Sequence, residues 1–170
     1  LAEFCLEHKI LICSDEIHCD LVLDINARHI PSATLSSEIA DNTVTLMSAA
    51  KTFNLPGLNC GFSIISNPQL RKRFKASTTD AIPHVNVMGY VACRAAFTHG
   101  VPWLEEVLDY LRENHRLLHH AVNEGMDGLS MGYVEATFLA WIDTRKLDLS
   151  NPADFFKQAG IAVLDGKAFG

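Results

Sequence analysis

Two short apolar runs in this sequence each lead directly into a segment that carries a charged side chain. Residues 9–13 lead into a polar segment that contains Asp15, and residues 43–48 lead into Lys51. A continuous apolar run of this length is typical of a β-strand that is buried on both faces. Open α/β sheets bind their ligands beyond the carboxyl ends of the strands, so we expect both charged segments to lie at one such edge.

A third apolar run, residues 60–65, completes a predicted set of three buried strands around this edge. Helical spacing of apolar side chains and helix-ending glycines and prolines predict the other elements. These are helices at 70–78, 85–99 and 103–123, a strand at 133–143, a helix at 152–158 and a strand at 161–164. The pattern changes after the long third helix, which predicts a domain boundary near residue 120.

Composition narrows the class of protein. Hydrophobic residues make up 48% and charged residues 20% of the chain, and the formal net charge is −6, which favours a globular protein without a nucleic-acid partner. The five cysteines are odd in number and form no C-x-x-C pair, so reduced thiols, no metal site and a cytoplasmic location are expected. Uninterrupted apolar runs of about 18 residues are absent, so no membrane partner is expected.

Both ends of the sequence are expected to be internal positions of a longer protein. The chain begins at Leu1, rather than at a methionine, within a helical pattern. It stops at Gly170 in a stretch that is typical of a turn. A site built from several segments of that longer protein would be incomplete in these 170 residues.

Lys51 and Asp15 together indicate chemistry that depends on pyridoxal 5'-phosphate (PLP). A lysine in a tight connection before Asn54 and Pro56 can form an imine with the cofactor aldehyde and then move a substrate proton. An ionised carboxylate at the end of a buried strand needs a cationic partner, and a protonated pyridine nitrogen is one. The alternatives are a solvated loop lysine and an aspartate that caps a helix or a turn.

For four polar residues near Lys51 and Asp15 in the sequence, the evidence of a functional role is weaker. His18 is placed to donate a hydrogen bond to the cofactor's phenolic oxygen, and the alternative is a packed or surface histidine without a role in the site. Ser48 precedes Lys51 by three positions and is predicted to contact the phosphate; an S-x-x-K serine nucleophile is disfavoured because the companion motifs of that class are missing. Glu16 and Asp20 are expected to face solvent, since they alternate with apolar residues.

A polar pair, His84 and Asn86, lies at the start of the helix predicted at 85–99. Capping of that helix is the favoured role, because asparagine is a common N-cap residue. The alternative is a site at a subunit boundary.

Three motifs together resemble a known family. They are residues 14–21 (SDEIHCDL), residues 29–31 (HIP) and residues 48–58 (SAAKTFNLPGL), and the likeness continues through residues 135–143 to the last residues of the chain. They resemble the class I/II aminotransferases, in their cystathionine β-lyase-like (carbon–sulfur lyase) branch. The resemblance implies an α/β chain that forms part of the fold type I large domain of PLP-dependent transferases, with a mainly parallel sheet. Residues 1–120 would belong to that domain and residues 121–170 to an incomplete small α+β domain.

The resemblance also implies roles for individual residues. Lys51 would hold PLP as a covalent aldimine, Asp15 would partner the pyridinium and Ser48 would contact the phosphate. His18 stands where many aminotransferases have a tyrosine, which favours the lyase branch. Asn59 stands about where many have a phosphate-binding arginine, and other cofactor and substrate contacts of the family would lie outside this sequence.

The implied reaction is α,β-elimination of a sulfur amino acid such as cystathionine to pyruvate, ammonia and a thiol, in a homodimer. An aminotransferase is the nearest alternative, because it shares the early steps. A non-catalytic interaction or regulatory protein that keeps the scaffold is the alternative of another class. The 170 residues alone are expected to retain PLP weakly and to be inactive.

Overall fold

The structure is a computed structural model that describes residues 1–78, 82 and 84–169. Gly170, where the predicted small domain ends, lies outside the described residues. The chain folds as two compact units: Leu1–Tyr110 with Glu135–Thr137, and Leu111–Val134 with the residues from Phe138 onward. Their assignment to a large and a small domain stays a prediction.

The described residues form helices and strands with the following bounds. The helices are α1 Ala2–Glu7, α2 Ser37–Asp41, α3 Ala49–Thr52, α4 Pro68–Thr78, α5 Val87–His99, α6 Val101–Gly125 and α7 Pro152–Gln158. The strands are β1 Ile12–Asp15, β2 Thr43–Ser48, β3 Gly61–Ile64, β4 Ser130–Met131 and β5 Ile142–Asp143.

The sheet of the first unit has the strand order β1-β2-β3. β1 pairs with β2 in parallel, from Ile12 opposite Thr43 to Asp15 opposite Leu46, whereas β3 pairs with β2 antiparallel. The sequence predicted β2 with its observed bounds and β1 too early, because Lys9 has a positive φ of 56° that is incompatible with a strand. The prediction of three buried strands was wrong for two of them: only β2 is largely buried, β1 alternates and β3 is exposed throughout.

The core of the first unit packs one face of β2 against α4. Val44 of β2, Ile65 just after β3 and Leu70 of α4 form a buried cluster. Leu46 of β2 and Phe74 of α4 pack against it. This packing fixes β2, the strand that carries Ser48 and leads into α3.

The long helices follow the sequence prediction closely. Asn86 caps α5 by accepting a hydrogen bond from the Gly89 amide at 2.8 Å, which confirms its predicted capping role. α5 ends at His99, and α6 begins at Val101 with Pro102 in its first turn, where the missing N–H of proline costs nothing. Among the helices of the described ranges, none is both long and apolar enough to cross a bilayer.

The strand predicted at residues 133–143 is largely absent. Ala136 forms an isolated antiparallel bridge with Val22, and regular pairing resumes only at Ile142–Asp143, which is β5. Thr137 explains the break, because its φ of 72° is left-handed and unfavourable for a β-branched residue in a strand. The strand predicted at 161–164 is also wrong, since those described residues form none. The helix predicted at 152–158 is confirmed as α7.

Glu16 anchors the loop that follows β1, contrary to the expectation that it faces solvent. Glu16 is 6% exposed, and its carboxylate accepts hydrogen bonds from the Ser14 hydroxyl and the Ser32 amide, both at 2.9 Å. His29 Nε2 lies 2.8 Å from the second carboxylate oxygen. Alternation along the sequence missed this burial, because both loop partners lie 13 or more positions away.

The partners of Glu16 set its ionisation. Burial by itself would raise the pKa of this carboxyl, but the hydrogen bonds from His29, the Ser32 amide and Ser14 outweigh that effect and hold the pKa below its ordinary value. A carboxyl with a depressed pKa in the folded state stabilises the fold above its unfolded pKa. That stabilisation is lost as the pH falls through the folded pKa.

We predict that Glu16→Gln lowers the free energy of unfolding by about 1–3 kcal/mol near pH 7, because charge-assisted hydrogen bonds are lost. The difference from the unmodified chain should shrink as the pH falls below 4.5, the ordinary value for this carboxyl. Urea denaturation across this pH range checks the prediction, with the exposed Glu105→Gln as the matched control. A loss that is as large at about pH 3 as at about pH 7 would contradict the role of the ionised carboxylate.

Candidate active site

The parallel pairing of β1 with β2 brings two chemically important segments to one edge of the sheet. Asp15 ends β1 and Ser48 ends β2, and the two strands run in the same direction. The pairing continues one residue beyond β1, where the Glu16 amide donates to the Leu46 carbonyl at 3.0 Å. Both segments therefore leave the sheet at its carboxyl edge, as the sequence predicted.

Lys51 lies on α3, a single turn of helix that starts directly after β2. Ser48 begins this turn as its N-cap, and its hydroxyl accepts a hydrogen bond from the Ala50 amide at 3.0 Å. The Lys51 residue is exposed, so its position on an exposed helical turn differs from the tight non-helical connection expected from the sequence. Exposure leaves the amine accessible to a small molecule at this edge.

The hydroxyl of Ser48 is buried and engaged twice. It donates to the Cys60 carbonyl at 2.7 Å and accepts from the Ala50 amide. A serine hydroxyl has one proton, so donation to a phosphate oxygen would require exchange of the Cys60 hydrogen bond. A phosphate contact by Ser48 stays a prediction.

Asp15 is exposed at the end of β1, not buried. One of its carboxylate oxygens accepts a hydrogen bond from the Ile17 amide at 3.3 Å, which is the pattern of an Asx turn. The turn interpretation considered for Asp15 from the sequence is therefore present. It does not exclude a cofactor contact, because a carboxylate has about four acceptor positions.

His18 is electrostatically coupled to both charged residues of the site. Burial is the main cause that lowers its pKa, the positive charge of Lys51 lowers it further, and the negative charge of Asp15 partly opposes both. The charges of Lys51 and Asp15 therefore both affect the imidazole of His18. The net direction favours a neutral His18 near pH 7, which keeps one N–H donor and one acceptor nitrogen.

A hydrogen bond that the sequence did not predict joins the two segments. Thr52 is 1% exposed, and its hydroxyl donates to a carboxylate oxygen of Asp20 at 2.9 Å. The expectation that Asp20 simply faces solvent was wrong, since it is half-buried and accepts this bond. A pair separated by 32 positions leaves no periodic signal in a single sequence.

A cluster of aromatic rings supports the residue after α3. The ring of Phe53 packs edge to face with Phe97 of α5 at 5.7 Å and lies 6.2 Å from Trp103. Phe97 also contacts Phe62 of β3, with ring centroids 6.0 Å apart. The short helix that carries Lys51 is thus attached to the longer elements behind it.

These residues fit the reactive parts of PLP. An exposed amine, an exposed carboxylate and a predominantly neutral imidazole are the groups that can meet its aldehyde, its pyridine nitrogen and its phenolic oxygen. The fit to the phosphate is limited to the Ser48 hydroxyl already described. The described ranges contain no group of three or more His, Cys, Asp or Glu side chains that could hold a metal ion.

Comparison with known proteins agrees with this chemistry. A family model described as aminotransferase class I and II matches residues 1–170. Cystathionine beta-lyase PatB of Bacillus subtilis is 35% identical over 152 residues, which are 89% of this chain and 39% of that protein. A crystal structure of OvoB superposes with a TM-score of 0.95 at 46% identity and covers 99% of this chain and 44% of its own. The PLP-bound C-S lyase from Staphylococcus hominis has a TM-score of 0.84 at 30% identity, with 98% of this chain and 43% of that chain covered.

The chain spans less than half the length of these relatives, between 39% and 44%. Its fold is the α/β fold type I of PLP-dependent transferases, as the sequence predicted. The match of the family model along the whole chain establishes its membership. This chain belongs to the PLP-dependent class I and II aminotransferase family, together with relatives that are named cystathionine beta-lyase and C-S lyase.

Proposed function

We propose that this chain is part of a PLP-dependent carbon–sulfur β-lyase, which cleaves a sulfur amino acid such as cystathionine to pyruvate, ammonia and a thiol. One observation carries the proposal: the parallel pairing of β1 with β2 brings Asp15, at the end of β1, and Lys51, on the turn after β2, to the same edge of the sheet. When bound, PLP supplies an aldehyde that reacts with amines and a pyridinium ring that accepts electrons. The chain's own residues would bind it, orient it and move the proton.

Lys51 has two tasks in this proposal. Its amine would hold the cofactor through the aldehyde, and, once released by the substrate, would remove the proton from the substrate Cα. The exposed position of Lys51 on α3 supports both tasks, because the amine must reach a small molecule from the edge of the sheet. Removal of a positioned general base lowers rates by roughly 100- to 10,000-fold.

Asp15, His18 and Ser48 would orient the cofactor. The carboxylate of Asp15 would hold the proton on the pyridine nitrogen through a charge-assisted hydrogen bond. The lowered pKa of His18 supports a neutral imidazole, and its remaining N–H would donate to the phenolic oxygen. Ser48 would contact the phosphate in exchange for its bond to Cys60.

The names of the relatives support the lyase over a transaminase. PatB, at 35% identity, is a cystathionine beta-lyase, and the protein from Staphylococcus hominis is a C-S lyase. We also propose that the protein works in the cytoplasm as a homodimer on a small amino acid. Its five cysteines, all of them free, support a reducing compartment.

The test uses the complete natural polypeptide that carries this sequence, loaded with PLP. With L-cystathionine and no keto acid, we expect pyruvate to form, and we expect Lys51→Ala to lower kcat by roughly 100-fold or more. Lys72→Ala, an exposed lysine of α4, is the matched control and should leave the rate unchanged. Pyruvate is measured with a coupled dehydrogenase.

Other outcomes decide between the alternatives. Amino transfer to an added keto acid, without pyruvate from cystathionine alone, would overturn the lyase proposal in favour of a transaminase. If the polypeptide retains no visible absorbance after it is mixed with PLP and desalted, it does not bind the cofactor. The scaffold would then serve a non-catalytic role.

We predict that the isolated 170 residues hold PLP weakly and are inactive, whereas the complete polypeptide retains it. Ser48 is the one phosphate contact predicted here, and it already bonds to Cys60, while Asn59 carries no charge to meet the phosphate. Both forms are mixed with PLP and desalted, and the visible absorbance per chain is compared. Stoichiometric colour in the isolated chain would contradict this prediction.

A further inference from the structure

The two segments that carry the candidate site leave the sheet soon after their strands end. On one side the chain turns at Asp15 and continues to Asp20, and on the other side it enters α3. The last ladder bond between them joins the Glu16 amide to the Leu46 carbonyl. Beyond this bond, the sheet itself no longer sets the distance from Lys51 to Asp15 and His18.

The hydrogen bond from Thr52 to Asp20 reconnects the segments past the end of the ladder. It joins the Thr52 hydroxyl to an Asp20 carboxylate oxygen at 2.9 Å across 32 positions of sequence. Thr52 is 1% exposed, so its hydroxyl would pay a full desolvation cost without a partner. A carboxylate acceptor also makes the bond stronger than one between two neutral groups.

The neighbouring Cys19 thiol does not add a second negative charge beside Asp20. Burial, followed by the negative charge of Asp20, raises the pKa of Cys19 to about 11. The thiol therefore keeps its proton at ordinary pH, and the carboxylate that Thr52 contacts has no thiolate next to it.

The rotation of α3 needs such a directional contact. A helix of four residues has little stiffness of its own, because a single turn closes few hydrogen bonds. The Phe53 ring packs against Phe97 and Trp103, but apolar packing is largely non-directional. A hydrogen bond prefers a narrow range of angles, and the χ1 of a β-branched threonine is stiff. With Thr52 fixed toward Asp20, its neighbour Lys51 points to the exposed side.

We infer that Asp20 and Thr52 form a clamp that orients Lys51 relative to Asp15 and His18. Both are positioning residues that act through α3, and the inference rests on the proposed function. Loss of the clamp should leave cofactor and substrate contacts in place but misplace the amine. A displacement of about 1 Å at a reacting group can cost on the order of 100-fold in rate.

The experiment removes the Thr52 hydroxyl in the PLP-loaded complete polypeptide. We expect Thr52→Val to lower kcat by roughly 10- to 100-fold with little change in KM. It should also shift the pH midpoint of the visible absorbance of the lysine-bound cofactor, because the distances from Lys51 to Asp15 and His18 change. Thr52→Ser keeps the hydroxyl and should restore both values toward those of the unmodified protein.

Thr43→Val is the matched control. Thr43 is also 1% exposed and donates its hydroxyl to a backbone carbonyl, that of Ile39, but it lies at the opposite end of β2 from α3. Its replacement should lower stability and leave the pH midpoint unchanged. If Thr43→Val shifts the midpoint as much as Thr52→Val does, or if Thr52→Val does not shift it, the positioning role is wrong.

A second measurement tests the hydrogen bond without the cofactor. In the cofactor-free polypeptide, the losses of unfolding free energy caused by Thr52→Val and Asp20→Ala should be non-additive, as expected for residues in direct contact. Additive losses would overturn the clamp. If the unmodified protein retains no visible absorbance after it is mixed with PLP and desalted, the proposed function and the positioning role are both overturned, even if the coupling is found. Absorbance that Thr52→Val leaves unmoved would overturn the positioning role alone.

Discussion

The parallel pairing of β1 with β2 is the constraint on which the candidate site depends. Its register, with Asp15 opposite Leu46, puts the carboxyl end of β1 beside the carboxyl end of β2. A shift of β1 by one residue against β2 would turn Asp15 to the opposite face of the sheet. The core of Val44, Ile65 and Leu70 holds β2 against such a shift by burying one of its faces.

Three carboxylates within six positions of the chain have different environments because their partners differ. Asp15 is exposed, Glu16 is almost fully buried and Asp20 is half-buried. Glu16 binds the following loop, whereas Asp20 binds the helical turn of Lys51. Asp15 is therefore the carboxylate of the three that is best placed to meet a ligand, and the other two stabilise the segments around it.

The sequence predicted what depends on local pattern. The bounds of β2, the capping by Asn86 and helix α7 follow from apolar runs and capping residues that are close together. It failed for Glu16 and Asp20, because their partners are distant in sequence and a single chain gives no signal of such contacts. The strand predicted at 133–143 failed because the left-handed backbone of Thr137 overrides a favourable β-propensity.

Peptide mapping tests most directly whether Lys51 binds the cofactor. The PLP-loaded complete polypeptide is reduced with borohydride, which makes the lysine-bound cofactor permanent, and is then digested for mass spectrometry. We expect the phosphopyridoxyl group on the peptide that contains Lys51, at close to one group per chain. Modification mainly on other lysines, or none, would contradict it.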